Sequence, residues 1–114
     1  MKVILIGAGC VAVLLAAPAE AQDPNVARGL AATCFTCHGT DGRSVGGIPP
    51  SLAGQSKEYL VQQMKDFKSG KRPATVMQQQ AKGYTDEQIE RIAGYFSGLK
   101  PGQGTPAPAG RGGY

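Results

Sequence analysis

The chain has 114 residues, a formal net charge of +4, 41% hydrophobic residues, no tryptophan, three cysteines and a single histidine. That length allows one small domain, and one histidine excludes any site that needs two imidazoles from the same chain. The basic residues lack interleaved aromatics or a binding motif, which excludes a nucleic-acid-binding module.

Lys2 is followed by an apolar run from Val3 to Ala17 and then by Pro18-Ala19-Glu20-Ala21. A basic start, a short apolar centre and an Ala-x-Ala site predict a secretory signal peptide over residues 1–21, cleaved near Ala21 on export to the periplasm. The run is shorter than the about 20 apolar residues of a permanent span, so the processed protein is not membrane-spanning. Gly7-Ala8-Gly9-Cys10-Val11-Ala12 superficially matches a dinucleotide fingerprint, but no βαβ pattern follows it. Cys10 is an ordinary residue of the discarded segment, leaving Cys34 and Cys37. A mature chain of about ninety residues has a marginal hydrophobic core and commonly needs a staple.

From Asn25 to Cys34, the pattern Val26, Ala27, Leu30, Ala31 predicts a short first helix that ends by presenting the cysteines. Cys34-Phe35-Thr36-Cys37-His38 is the pattern of c-type haem attachment. Two thiols at this spacing can form thioether bonds to porphyrin vinyl groups, and His38 is placed to ligate the iron. A disulfide across the pair closes too short a loop to stabilise much. A structural zinc site needs a fourth ligand, and a thioredoxin-type motif needs a βαβ frame. The reading is one covalent haem c held by Cys34 and Cys37, whose porphyrin also gives the small chain an apolar plate to wrap.

Gly39 to Pro50 is broken by glycine and proline at nearly every step and reads as a loop over one haem edge. Ser56 caps a second helix with Leu60, Met64 and Phe67 on its apolar side, stopped by Ser69-Gly70. The stretch Lys71 to Gln80 lacks helical apolar periodicity and reads as a loop. Thr85 and Gln88 have capping-box spacing for a last helix carrying Ile89, Ile92, Ala93, Phe96 and Leu99. Lys100 opposes its dipole and Pro101 ends it. The organisation is therefore a domain over residues 22–100 and a flexible Gly/Pro/Ala-rich tail over 101–114. The fold class is all-α, three to four helices and loops wrapped around one haem.

His38 takes one axial position of the iron, intrachain bis-histidine ligation is excluded, and the other position goes to Met, Lys, Tyr, water or nothing. Met1 leaves with the signal peptide, so Met64 and Met77 are the available thioethers. Met64 lies on an apolar helix face and reads as core filler. Met77, in the loop, is the candidate second axial ligand. His/Met ligation raises the reduction potential and leaves no open site, so the protein would carry single electrons and catalyse nothing alone.

The chain resembles the class I cytochromes c over nearly all of its mature length. The resemblance is carried by Cys34 to Gly39, Pro50-Ser51-Leu52-Ala53-Gly54-Gln55, the Met77 stretch and Ile92-Ala93-Gly94-Tyr95-Phe96. It implies that the first and last helices cross beside the haem, with Gly29 and Tyr95 at the close contact. It also implies a proline carbonyl that accepts the histidine's other ring proton, Pro50 by motif match with Pro49 as the alternative. Within the class, Tyr59-Leu60-Val61, Phe67 to Arg72, Thr75-Val76-Met77 and Ala81 to Thr85 are similar to the haem subunit of flavocytochrome c sulfide dehydrogenases, in its one-haem form. That likeness implies an FAD-containing sulfide dehydrogenase subunit as electron donor and other redox proteins as acceptors. The competing reading is a free periplasmic shuttle. Lys57, Lys65, Lys68, Lys71, Arg72 and Lys82 form either a basic rim that steers an acidic partner or a set of solvated helix and loop charges. Arg43 and Tyr84 are candidates to pair with a haem propionate.

Overall fold

Local capping signals set where the helices begin. The computed structural model describes residues 23–101, so the expected signal peptide and the expected tail beyond Pro101 lie outside the described residues. Among the described residues all regular structure is helical. The Asp23 carboxylate accepts from the Asn25 N–H at 2.8 Å and Pro24 stands in the first turn, which starts α1, Pro24–Ala31. A 3₁₀ turn, Ala32–Cys34, leads into the single turn α2, Phe35–His38, and a second 3₁₀ turn covers Thr40–Gly42.

Helix α3, Lys57–Ser69, begins where the Ser56 hydroxyl accepts from the Tyr59 N–H at 3.2 Å, and ends on Gly70 at φ 80°. Leu60 and Phe67 are buried, with Met64 only half-buried. Helix α5, Asp86–Ser97, carries the expected capping box: the Gln88 N–H donates to Thr85 Oγ1 at 3.2 Å, and the Thr85 N–H donates to Gln88 Oε1 at 2.9 Å. It stops short of Pro101, because Gly98 caps it, its N–H bonding to the Gly94 carbonyl at 3.2 Å. Lys100 therefore lies beyond the last turn.

Two expectations are corrected. Residues 76–82 are helix α4, Val76–Lys82, so Met77 stands in a first helical turn rather than on a loop. Met, Gln, Ala and Lys are good helix formers, but only Ala81 of this seven-residue helix is buried. One apolar anchor leaves no periodicity to detect. Gly29 is not the close contact of the helix crossing: a Cβ there would meet nothing within 4 Å. Two residues on, Ala31 is fully buried and belongs to the cluster with Ile92, Ala93 and Phe96.

Helix α5 packs against both α1 and α3, and α4 packs against α3. The core is Ala31, Leu60, Ile92, Ala93 and Phe96, flanked by Leu30, Cys34, Phe35 and Tyr95 among others. Phe96 sits between Phe35 at 6.2 Å and Tyr95 at 5.3 Å, both in edge-to-face geometry. The loop after α2 enters the same packing through Gly42, at φ 72°, where a Cβ would stand 2.7 Å from the Phe96 ring.

Gly42→Ala should therefore cost about 3 kcal/mol, combining left-handed strain with overpacking of a buried ring. Gly46 also has a positive φ, 89°, but open space around it, so Gly46→Ala should cost only about 1 kcal/mol. Denaturant midpoints of the two variants check the difference.

Candidate functional site

One turn of chain brings Cys34, Cys37 and His38 together. Cys34 closes the 3₁₀ turn after α1, while Cys37 and His38 complete α2. Both thiols are free; Cys34 is half-buried against the core and Cys37 is exposed. Burial pushes the Cys34 thiol above its ordinary pKa, against smaller hydrogen-bond effects.

The His38 ring is only 8% exposed, with Nδ1 2.6 Å from the Pro50 carbonyl oxygen. A carbonyl can only accept, so Nδ1 carries the proton and donates it. Nε2 is then the lone-pair nitrogen, and it has no hydrogen-bond partner among the described residues. Burial lowers the His38 pKa, with the Pro50 bond acting in the opposite sense, which favours the neutral ring. The acceptor is Pro50 rather than Pro49. Its neighbour Ser51 is pinned on both sides: the Ser51 hydroxyl accepts from the Ser44 N–H at 2.9 Å, and its carbonyl accepts from the Gln55 amide at 3.1 Å.

The sequence reading missed a second cluster three residues beyond His38. Tyr95 donates its hydroxyl to Asp41 Oδ1 at 2.5 Å, and Arg28 Nε donates to the same oxygen at 3.2 Å. Arg43 lies 3.9 Å from Oδ2 and also donates to the Lys100 carbonyl at 3.2 Å. The Tyr95 bond, then Arg28 and Arg43, hold the Asp41 carboxyl below the usual carboxylate range. The signal for it was local: Asp between Thr40 and Gly42 is a residue that tolerates the left-handed conformation it adopts here, φ 53°. Tyr84 hydrogen-bonds Thr33, the residue before Cys34.

Met77 lies half-buried at the start of α4, on an element separate from the His38 turn. Four of the six basic residues of the chain's middle are ion-paired rather than free. Lys57 pairs with Glu90 at 3.1 Å, Lys65 with the same carboxylate at 3.9 Å, Lys68 with Asp86 at 3.0 Å and Lys71 with Asp66 at 3.7 Å. The helical ladder brings α3 lysines opposite α5 carboxylates, which a linear count of charges could not reveal.

The cytochrome c family profile matches residues 26–100, and the chain belongs to this family. Membership brings covalently bound haem c and electron transfer through it. The donor set fits that cofactor: two free thiols and an imidazole whose second nitrogen has no hydrogen-bond partner among the described residues. The chain is 50% identical over 70 residues to the cytochrome subunit of sulfide dehydrogenase from Chlorobaculum tepidum, covering 61% of this chain and 63% of that subunit. It is 39% identical to a thiosulfate dehydrogenase electron acceptor from Thiomonas intermedia, over 95% of this chain and 48% of that protein. Reduced cytochrome c4 from Pseudomonas stutzeri superposes with a TM-score of 0.63 at 35% identity, covering 69% of this chain and 46% of the other. The matches thus span about half to two thirds of these relatives' lengths. No helix among the described residues is long and apolar enough to cross a membrane.

The depressed Asp41 pKa carries a sign. Stability from this carboxylate is complete above its unfolded value near about pH 4 and is lost as pH falls through the lower folded value. Tyr95→Phe removes the largest cause of the shift, so the Asp41 titration should move up towards the ordinary carboxylate value. Carboxyl NMR titrations of the two proteins give the comparison.

Proposed function

We propose that this chain is an exported, periplasmic one-haem electron carrier in which Cys34 and Cys37 form the thioether links, His38 is one axial iron ligand and Met77 the other. The observation that carries the site is the His38 turn: Nδ1 is committed to Pro50 at 2.6 Å, which leaves Nε2 as the donor beside two free thiols. When bound, haem c supplies one-electron iron chemistry. The chain's own residues anchor and orient it. The Pro50 carbonyl fixes the tautomer and plane of His38 and raises its basicity. A Met77 thioether would favour ferrous over ferric iron and, holding the iron together with His38, would leave substrate no site on the metal. Met77→Ala should lower the potential and abolish the low-spin thioether-ligated absorption spectrum, while Met64→Ala preserves both. The reverse result would overturn the assignment.

The electron donor we propose is an FAD-containing sulfide dehydrogenase subunit, which passes electrons one at a time through this chain to another redox protein. The 50% identity to the Chlorobaculum tepidum subunit supports it, and the single Cys-x-x-Cys-His restricts the likeness to the one-haem form. A second reading, a free shuttle between redox complexes, is favoured by the match to the Thiomonas intermedia electron acceptor over 95% of this chain. Purification from the native source discriminates between them. A flavoprotein retained through gel filtration, with sulfide-dependent haem reduction, supports the first; a lone monomer reduced only by an added partner supports the second.

A further inference from the structure

We infer that Asp41 is a positioning residue for His38, coupling the last helix to the hydrogen bond that orients the iron ligand. The inference rests on the haem reading given above and adds to it a residue outside the attachment motif.

The argument starts from the backbone. Directly after His38, over residues 39–42, the chain makes a turn with three residues at positive φ, Gly39 at 80°, Asp41 at 53° and Gly42 at 72°. The turn is closed by the Gly42 N–H on the Gly39 carbonyl at 2.8 Å and the Arg43 N–H on the Thr40 carbonyl at 3.2 Å. A non-glycine residue in the left-handed region persists where its surroundings over-determine it. Asp41 is held that way: its Oδ1 accepts from Tyr95 on α5 and from Arg28 on α1, while its Oδ2 faces Arg43. The Arg28 guanidinium also lies 5.5 Å from the centre of the Phe35 ring, inside the attachment motif.

The turn transmits this constraint to the ligand by a short path. The Gly42 carbonyl accepts from the N–H groups of Leu52 at 2.8 Å and Ala53 at 3.1 Å, two and three residues after Pro50. Ser44 is tied to Ser51 at 2.9 Å. The segment that carries the Pro50 carbonyl is thus bonded to the segment that follows His38, and Asp41 fastens the latter to α1 and α5. Loosening Asp41 lets the two segments move apart and lengthens the His38–Pro50 bond. A weaker bond leaves His38 a poorer donor to ferric iron, which raises the potential.

The test uses haem-loaded protein and reads two quantities, the exchange rate of the His38 Nδ1 proton by NMR and the reduction potential. Tyr95→Phe keeps the Asp41 charge but removes its strongest partner, and Asp41→Ala removes both. Each should speed exchange about tenfold, the loss of a charge-assisted hydrogen bond, and raise the potential. Asp41→Asn loses the charge but its amide oxygen still accepts from Tyr95 and Arg28 and it tolerates the left-handed turn, so it should change both quantities less than Tyr95→Phe does. That pattern separates positioning from simple charge, since a through-space charge effect would appear in Asp41→Asn and be absent in Tyr95→Phe. Thr85→Ala, which destabilises α5 at its far end, should leave both quantities unchanged. If Asp41→Ala does not fold, Tyr95→Phe and Asp41→Asn decide. Wild-type rate and potential in haem-loaded Tyr95→Phe overturn the inference alone. Absence of covalent haem from the wild-type protein overturns the haem reading, and the inference with it.

Discussion

The contact between Gly42 and the Phe96 ring is the constraint on which the site depends. Phe96 is fully buried at the crossing of α1 and α5, and the loop that follows His38 can reach it only because position 42 has no Cβ. From that contact the Gly42 carbonyl gathers Leu52 and Ala53, and the Phe96 carbonyl accepts from the Gly54 N–H at 2.9 Å. The otherwise irregular segment from Gly39 to Gly54 is therefore stitched to the last helix at both ends. This stitching, together with the Ser44–Ser51 bond within the segment, sets the Pro50 carbonyl against His38.

Polar interactions divide into those that organise the site and those that decorate the surface. The Asp41 carboxylate is only 27% exposed and receives a tyrosine hydroxyl and a guanidinium, so its bonds are charge-assisted and partly shielded from water. The pairs of Lys57 and Lys65 with Glu90, and of Lys68 with Asp86, link α3 to α5 but stand in solvent. Such pairs contribute roughly 0–1 kcal/mol each. Their main effect is on the protein's outer field, since two carboxylates of α5 partly offset three lysines of α3.

Much of the fold was legible because its signals are local. Ser56 and Thr85 cap the helices as expected, the latter with Gln88 at capping-box spacing, and Leu60, Phe67, Ile89, Ile92, Ala93 and Phe96 are buried, whereas Met64 and Leu99 are only half-buried. Helix α4 escaped notice for the complementary reason. It buries Ala81 alone, so its stability comes from propensity and from packing on α3, neither of which leaves an apolar rhythm. The open space at Gly29 shows the limit of reasoning by likeness, since a glycine in a helix marks a close approach only if its face is the one that packs.

The sequence by itself determined the chemistry: two thiols and one imidazole within five residues, a capped helical frame and a short list of thioethers. These follow from residue type and spacing along the chain, which need no third dimension. Only the tertiary structure decided which proline carbonyl holds His38, that Asp41 is gripped by Tyr95 and Arg28, and that the lysines of α3 are paired. Those are contacts between residues far apart in sequence, such as Asp41 with Tyr95, and they exist only once α5 has packed across α1.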